Sequence, residues 1–257
     1  MVYFMIYNQL SSDFIQKSLR EASARSERLA LAFWNLDFTH DAYEAWCIKR
    51  QAEALLRDQY IDFNIFDQVA KGQALLVGEG NMSFSLSLTQ NPRVNPAFLT
   101  ATTWETSTHL SDTAKHNAKR LAQKGVRVLH GIDATKLAQD FPRQAFQTIL
   151  FQFPNVASRD PIAGLNPNFV LVQRFLKSAK PHLVSGGRII ISVVDSPYYR
   201  GLFHFEEAAE QAGFPPPRVA TFDPDDFPGY HHTMTHQEES AIDDYEHFAS
   251  YIFTKTP

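Results

Sequence analysis

The feature that most constrains this chain is a change of rhythm at Gln73. Beyond it, short and continuously apolar runs alternate with amphipathic stretches of helical spacing. The runs at 74–77, 98–103, 126–130, 148–153 and 188–194 are apolar along most of their length, which is the mark of strands buried on both faces of a parallel sheet. Between them the spacing predicts helices at 83–88 and at 111–124, the latter closed by Gly125. A short helix is expected near 135–139, and another opened by Asn166-Pro167 runs to about Leu183 with Gly186-Gly187 beyond it. A further helix at 205–212 stops at Gly213. After the rigid Pro215-Pro216-Pro217, runs at 219–222 and 248–254 are expected to close the sheet as an antiparallel pair. The reading is a doubly wound, mostly parallel α/β domain over residues 71–257. Ligands of such a sheet sit outside the carboxyl ends of its strands, near the switch in strand order.

Residues 1–70 have a different texture. Ile15, Leu19, Ala22, Leu29 and Phe33 recur at helical spacing, and a second helix is expected over 41–60, with Asp41 and Glu44 forming a capping box. There is no glycine or proline before Gly72, and Trp34, Tyr43, Trp46, Tyr60, Phe63 and Phe66 make the segment aromatic. It reads as a helical cap, either a dimerisation element that makes a homodimer or a lid that closes over a small ligand and excludes water.

Composition narrows the setting. Of 257 residues one is cysteine, Cys47, so no intramolecular disulfide can form, and the opening MVYFMIYN lacks the basic start and long apolar stretch of a signal peptide. No apolar run is long enough to cross a bilayer, and a cytoplasmic setting is expected. The net charge of −4 conceals an asymmetry. Residues 222–257 hold eight acids against Lys255, which leaves 23 bases and 20 acids in the rest of the chain. The densest basic group, Lys115, Lys119, Arg120, Lys124 and Arg127, spreads around a helix as a solvated face. Nucleic-acid binding draws on clustered positive charge, so RNA is a disfavoured partner.

Chemistry is expected in the loops. Leu75-Leu76-Val77-Gly78-Glu79-Gly80-Asn81-Met82-Ser83-Phe84 is a strand, a glycine turn and a helix start, where backbone N–H groups can meet a ligand. Position 83 is Ser where a dinucleotide fingerprint needs a third glycine, and no P-loop lysine follows. Glu79 inside the turn repels a pyrophosphate and suits a cation, which points to S-adenosylmethionine with its sulfonium and ammonium groups. Glu105, after the second strand, stands where a carboxylate accepts ribose hydroxyls. Asp133 either caps the following helix or meets an adenine amino group. The fourth strand ends Gln152-Phe153-Pro154-Asn155, whose amides can orient a nitrogen nucleophile while the ring stacks on a flat substrate.

The strings LLVGEGNMSFSLSL, ATTWE, VLHGIDATKL, ILFQFPN and FPGYHH resemble the Rossmann-like methyltransferase family typified by the large-subunit rRNA uridine-N3 methyltransferase. The resemblance covers roughly residues 73–253. It implies a class I methyltransferase fold with S-adenosylmethionine as cofactor. By the same resemblance Gly78, Glu79, Gly80, Asn81, Ser83 and Phe84 would hold the methionine end, Glu105 the ribose, and Asp133 with Ala134 the adenine. Phe153, Pro154 and Asn155 would face the transferable carbon.

Two departures fall on the substrate side. The family commonly reads Asn-Phe-Pro-His where this chain has Gln152-Phe153-Pro154-Asn155. The family's basic residues after Pro-Gly-Tyr give way here to His231-His232-Thr233-Met234-Thr235-His236 and then to acids. Both changes move the expectation from RNA to a small-molecule acceptor, methylated at nitrogen, with Asn155, Gln152 and Tyr198 as catalytic candidates. Pro154, Tyr230 and His231 are then expected to bind substrate. The three histidines lack a regular metal-ligand spacing, and no metal is expected. Three alternatives stay open: cyclisation of S-adenosylmethionine itself to azetidine-2-carboxylate and methylthioadenosine, the family's uridine-N3 methylation of rRNA, and noncatalytic binding of the cofactor.

Overall fold

The computed structural model describes residues 57, 59–142, 145–156, 158, 160–233, 242 and 245–256, with the side chains at 197 and 198 excepted. Its centre is one seven-stranded sheet: β1 (Ala74–Val77), β2 (Leu99–Thr102), β3 (Arg127–Leu129), β4 (Phe146–Gln152), β5 (Leu183–Val194), β6 (Arg218–Phe222) and β7 (Phe248–Thr254). The spatial order is β3-β2-β1-β4-β5-β7-β6, with the first five strands parallel and β7 antiparallel to both of its neighbours. Strand order reverses between β1 and β4, which places the switch point beside Gly78 and Gln152.

The sheet is covered on both faces because its central strands are apolar in both phases. Leu75, Val77, Ile149, Phe151, Ile189 and Ile191 pack on one side against α4 (Pro167–Ala179) and α6 (Phe205–Gln211). Ala74, Leu76, Leu150 and Ile190, one residue out of phase, pack on the other side with α2 (Ser83–Leu88) and α3 (Asp112–Gln123). This is the period-two alternation of a strand, with both phases apolar. Helix ends follow their caps: the Ser111 hydroxyl accepts the Ala114 N–H at 3.1 Å, and Asn166 Oδ1 accepts that of Asn168 at 2.9 Å.

Three details differ from the expectations. The α4 segment stops at Ala179, and β5 begins at Leu183, so Gly186-Gly187 lies inside a strand. The pairing jumps from Phe146 opposite Leu183 to Thr148 opposite Arg188, a bulge that brings Gly187 against backbone. A Cβ there would meet the Val184 carbonyl oxygen at 2.9 Å. Ser196-Pro197 opens α5 (Pro197–Phe203), a helix missed from the sequence although a capping serine before proline is its signature. The expected helix at 135–139 is a 3-10 turn, Ala134–Gln139, capped by Asp133.

Residues 60–70 join this packing. Ile65 and Val69 of α1 (Ile65–Val69) are core residues, the Ile61 N–H donates to Val219 O at 2.8 Å, and Gln68 Nε2 donates to buried Thr148 Oγ1 at 3.0 Å. The two long helices expected over 12–33 and 41–60, with the lid or dimer role attached to them, lie almost wholly outside the described residues.

Candidate active site

The site is built at the carboxyl ends of β1, β2, β3 and β4. β1 hands the chain to Gly78, whose φ of +66° is left-handed and whose missing Cβ would sit 2.5 Å from Phe151 Cε2. Glycine is required here twice over, by backbone conformation and by the ring behind it. Met82, at φ 60°, then turns the chain into α2.

Glu79 points into the protein. Its two carboxylate oxygens share the Ser85 N–H at 3.2 and 3.3 Å. Burial pushes this carboxyl up to about 7, against the lowering effect of the Ser85 contact. The rest of the turn is tied to the segment after β6. Asn81 Nδ2 donates to His231 O at 2.9 Å, and Ser83 Oγ donates to the same carbonyl at 2.9 Å while accepting the His231 N–H at 3.0 Å. Asn81 Oδ1 accepts the Ser83 N–H, and its carbonyl accepts Asn117 Nδ2 from α3, both at 2.9 Å. A Cβ on Gly80 would come within 3.1 Å of Thr233. Phe84 is buried, its ring edge-on to Tyr230 at 5.2 Å. Asn81, Ser83 and His231 thus form one knot, and Tyr230 is held over the turn beside it.

The loops after β2 and β3 are stitched together. The Gly131 N–H donates to Glu105 O and that of Ile132 to Thr103 O, each at 2.9 Å, and Thr103 Oγ1 lies 2.9 Å from His130 Nδ1. Burial draws the His130 imidazole below its usual range. The half-buried Glu105 carboxylate makes no hydrogen bond or ion pair with the described residues. Asp133 Oδ1 accepts the Thr135 N–H at 2.8 Å and Thr135 Oγ1 at 2.7 Å, and Oδ2 pairs with Lys136 at 3.0 Å. Of the two roles left open for Asp133, the cap is the one made here, and Ala134 is buried behind it. Burial pushes the Asp133 carboxyl up, but these partners outweigh it and hold it below the ordinary range.

β4 ends in an aromatic corner. Gln152 is the last strand residue, and both its amide atoms, Oε1 and Nε2, are buried without a partner among the described residues. Phe153 follows at φ 47°, its ring edge-on to Phe222 and Phe248 at 5.7 Å and to His232 at 5.2 Å. Pro154 is buried and Asn155 exposed. Asn168 Oδ1 of α4 accepts the Val156 N–H at 2.8 Å and fixes this loop. Phe222 and Phe248 also line a cavity of about 430 Å³ whose other walls include Arg57, Asp223, Asp225 and Glu246. Tyr198 lies in the first turn of α5.

The structure therefore brings Gly78, Glu79, Gly80, Asn81, Ser83, Phe84, Tyr230 and His231 together, ties the Glu105 backbone to the loop that leads to Asp133, and puts Gln152, Phe153 and Pro154 at the switch point. Asn117 and Asn168 were missed. Asn117 had a readable signal, because it interrupts the apolar stripe made by Ala114 and Leu121 on α3. Asn168 had none.

The donor set fits an S-adenosylmethionine molecule. Glu79 offers a buried carboxyl facing no cation among the described residues, and Glu105 offers a carboxylate able to accept hydroxyl protons. Among the described residues no group of three or more His, Cys, Asp or Glu is placed to hold a metal ion, and no helix is long and apolar enough to cross a membrane. His236 lies outside them.

A family model described as BMT5-like, rRNA (uridine-N3-)-methyltransferase BTM5-like, matches residues 75–234, more than half of the chain. A ferredoxin-fold anticodon-binding domain-containing protein 1 homolog from Mus musculus is 30% identical over 198 residues, covering 71% of this chain and 31% of that protein. Heavy metal-associated isoprenylated plant protein 41 from Arabidopsis thaliana is 28% identical over 165 residues, 62% of this chain and 32% of that one. The chain thus spans about a third of the length of these curated relatives. Among solved structures, a methyltransferase from Pyrococcus furiosus has a TM-score of 0.47 at 18% identity over 81% of this chain and 98% of that one. TrmN from Thermus thermophilus has 0.43 at 17% identity, over 81% and 48%.

Proposed function

Since the chain belongs to the BMT5-like family of rRNA (uridine-N3-)-methyltransferases, we propose that it uses S-adenosylmethionine to methylate a nitrogen of a small molecule. The observation that carries the choice of acceptor is the cavity lined by Phe222 and Phe248, the rings that pack on Phe153, whose rim carries Asp223, Asp225 and Glu246 against Arg57. An RNA strand brings a row of phosphates, and binding it rests on cations that neutralise them. With three acids against one arginine, this rim is net negative and favours a compact neutral or cationic acceptor.

S-adenosylmethionine supplies an electrophilic methyl group on a positively charged sulfur. Glu79 contributes the balancing negative charge from within the glycine turn, and Glu105 accepts from hydroxyls. Gln152 offers one donor and one acceptor from a buried, unpartnered amide, and orients the acceptor by pairing with it. Phe153 presents a ring face or edge to a flat acceptor, with its position fixed by Phe222 and Phe248. Asn155 and Tyr198 stand as outer candidates, Pro154 shapes the loop, and His231 with Tyr230 closes the turn.

A second reading, methylation of uridine N3 in rRNA, is favoured by the family description itself. One assay separates the two. The purified protein is incubated with S-adenosylmethionine alone, with a small-molecule extract, and with protein-free rRNA, and the products are separated by mass spectrometry. S-adenosylhomocysteine formed only with the extract supports the small-molecule reading, and its formation only with rRNA supports the second. Methylthioadenosine with a four-membered amino acid from the cofactor alone would mean that the cofactor's own amino group is the nucleophile. No consumption in any arm would leave only a binding role.

A further inference from the structure

We propose that Glu79 is the group that tells the positively charged cofactor from its uncharged-sulfur product, releasing a proton to solvent when the cofactor binds and keeping it when the product is in place. The inference rests on the cofactor assignment above and goes beyond it.

The argument starts from charge balance. Glu79 is buried at the carboxyl end of β1, and its two oxygens are served by one N–H, that of Ser85. A carboxylate usually needs several donors or a cation to remain ionised out of water. The elements packed around it supply neither. From α2 come the Ser85 N–H and the buried Ser85 hydroxyl beside it, both of which favour the ionised carboxyl but do not outweigh its burial. Asn117 of α3 is neutral and already bonded to the Asn81 carbonyl. From the segment after β6 comes the phenol of part-buried Tyr230, whose ionisation is opposed first by burial and then by the Glu79 charge. Asn81 and Ser83, the nearest polar side chains of the turn, are bonded to His231. Tyr230 is the one titratable group recorded against Glu79 among the described residues, and it is an acid.

Without a cation beside it the carboxyl favours its protonated form, in line with its elevated pKa of about 7. A bound sulfonium changes that balance, because it brings a fixed positive charge that no change of pH removes. Ionised Glu79 then gains the partner it lacks. Methyl transfer converts the sulfonium to a thioether, the positive charge at sulfur disappears, and the carboxyl takes back a proton. Cofactor and product differ at the site by one charge, and Glu79 converts that difference into a difference in affinity.

Isothermal titration calorimetry of the full chain tests this between pH 5.5 and 7.5 with S-adenosylmethionine and S-adenosylhomocysteine. Buffers of different ionisation enthalpy give the number of protons released. Near pH 7 the cofactor should release on the order of half a proton from a group titrating there, and its affinity should fall toward tenfold for each unit of pH below that. The product should release essentially none and bind with little pH dependence. Glu79→Gln keeps the shape and an acceptor for Ser85. It should abolish the proton release and bring the two affinities together, with the product's affinity nearly unchanged. Equal proton release for both ligands, or none for either while both bind, would overturn the proposal and leave the cofactor assignment standing. Failure of the cofactor to bind at any pH would overturn both. The wild-type titrations alone decide the matter if the variant does not fold.

Discussion

Ser83 and His231 are bonded to each other twice, the hydroxyl donating to the His231 carbonyl at 2.9 Å and accepting the His231 N–H at 3.0 Å. Two segments 148 residues apart are thereby closed into one wall over the glycine turn. Ser83→Ala removes both bonds, leaving the part-buried His231 N–H to find water while the carbonyl keeps only the Asn81 amide. We expect a loss of about 1–2 kcal/mol of stability. Hydrogen exchange at residues 231–233 should accelerate, and exchange in β5 should not change. Unaltered protection at 231–233 would mean that other contacts hold the segment.

Gly78→Ala should be far more damaging. The substitution imposes a left-handed φ on an L-residue and drives a Cβ to 2.5 Å from the Phe151 ring. The two costs together are about 2–5 kcal/mol, measured by denaturant unfolding. Phe151→Leu in the same chain should recover the steric part and leave the backbone part, so partial rescue is the expected result and full rescue the excluded one.

Gln152 should separate stability from activity. Its amide lies buried with both polar atoms unpartnered, so Gln152→Leu removes a desolvated group that gains nothing in the ligand-free protein. The ligand-free variant should match or exceed the wild type by about 1–3 kcal/mol, while methyl transfer to the acceptor found in the assay falls on the order of tenfold to a hundredfold. A destabilised variant with normal turnover would assign the amide a structural role.

Much of this architecture was legible in advance, for identifiable reasons. Strands such as Leu75-Leu76-Val77 announce burial on both faces by having no polar phase, and Ser111, Asn166 and Gly125 mark helix ends through local bonds that need no tertiary context. Gly186-Gly187 misled because glycine ends helices and makes bulges alike. Only the pairing of β4 with β5 and of Lys255 with Gly186 and Gly187 decides between the two. At the site, the glycine turn could be placed from sequence, but the commitment of Asn81 and Ser83 to His231 could not, since it depends on how a distant loop returns. Asp195 was visible only as a residue after a strand, and nothing local shows that it meets Arg57, Tyr60 and Arg200.

The two buried carboxyls should bend the pH profile in opposite senses. Burial raises Asp195, but Arg200 at 2.6 Å and Arg57 at 3.0 Å outweigh it and hold the carboxyl below its ordinary range. A carboxyl depressed in the folded state contributes stability that is present above the unfolded value near 4 and lost as pH falls through the folded one. Glu79 is raised, so the folded protein binds its proton more tightly than the unfolded chain. Its ionisation removes stability as pH climbs from about 4.5 to about 7, by roughly 3 kcal/mol. Without ligand, Glu79→Gln should therefore gain stability relative to the wild type at pH 8 and little at pH 4.5. Asp195→Ala should lose about 2–3 kcal/mol at neutral pH by stranding two part-buried guanidinium groups. Thermal melts from pH 3 to 8 check both, and a wild-type profile flat between pH 5 and 8 with an unchanged Glu79→Gln profile would contradict the first.

The Asp195 cluster sets where this protein can be cut. Its carboxylate, only 2% exposed, is shared by Arg200 in α5, Arg57, and the Tyr60 hydroxyl at 3.0 Å. A shortened version starting at residue 71, where the composition changes, would discard two of those three partners along with Ile65 and Val69. Proteolysis or truncation between residues 57 and 70 would reach the end of β5 from outside the sheet domain, by unbalancing charge, and would strip a wall from the cavity that Arg57 lines. The sheet domain is electrically completed by a stretch of chain that its sequence rhythm assigns elsewhere.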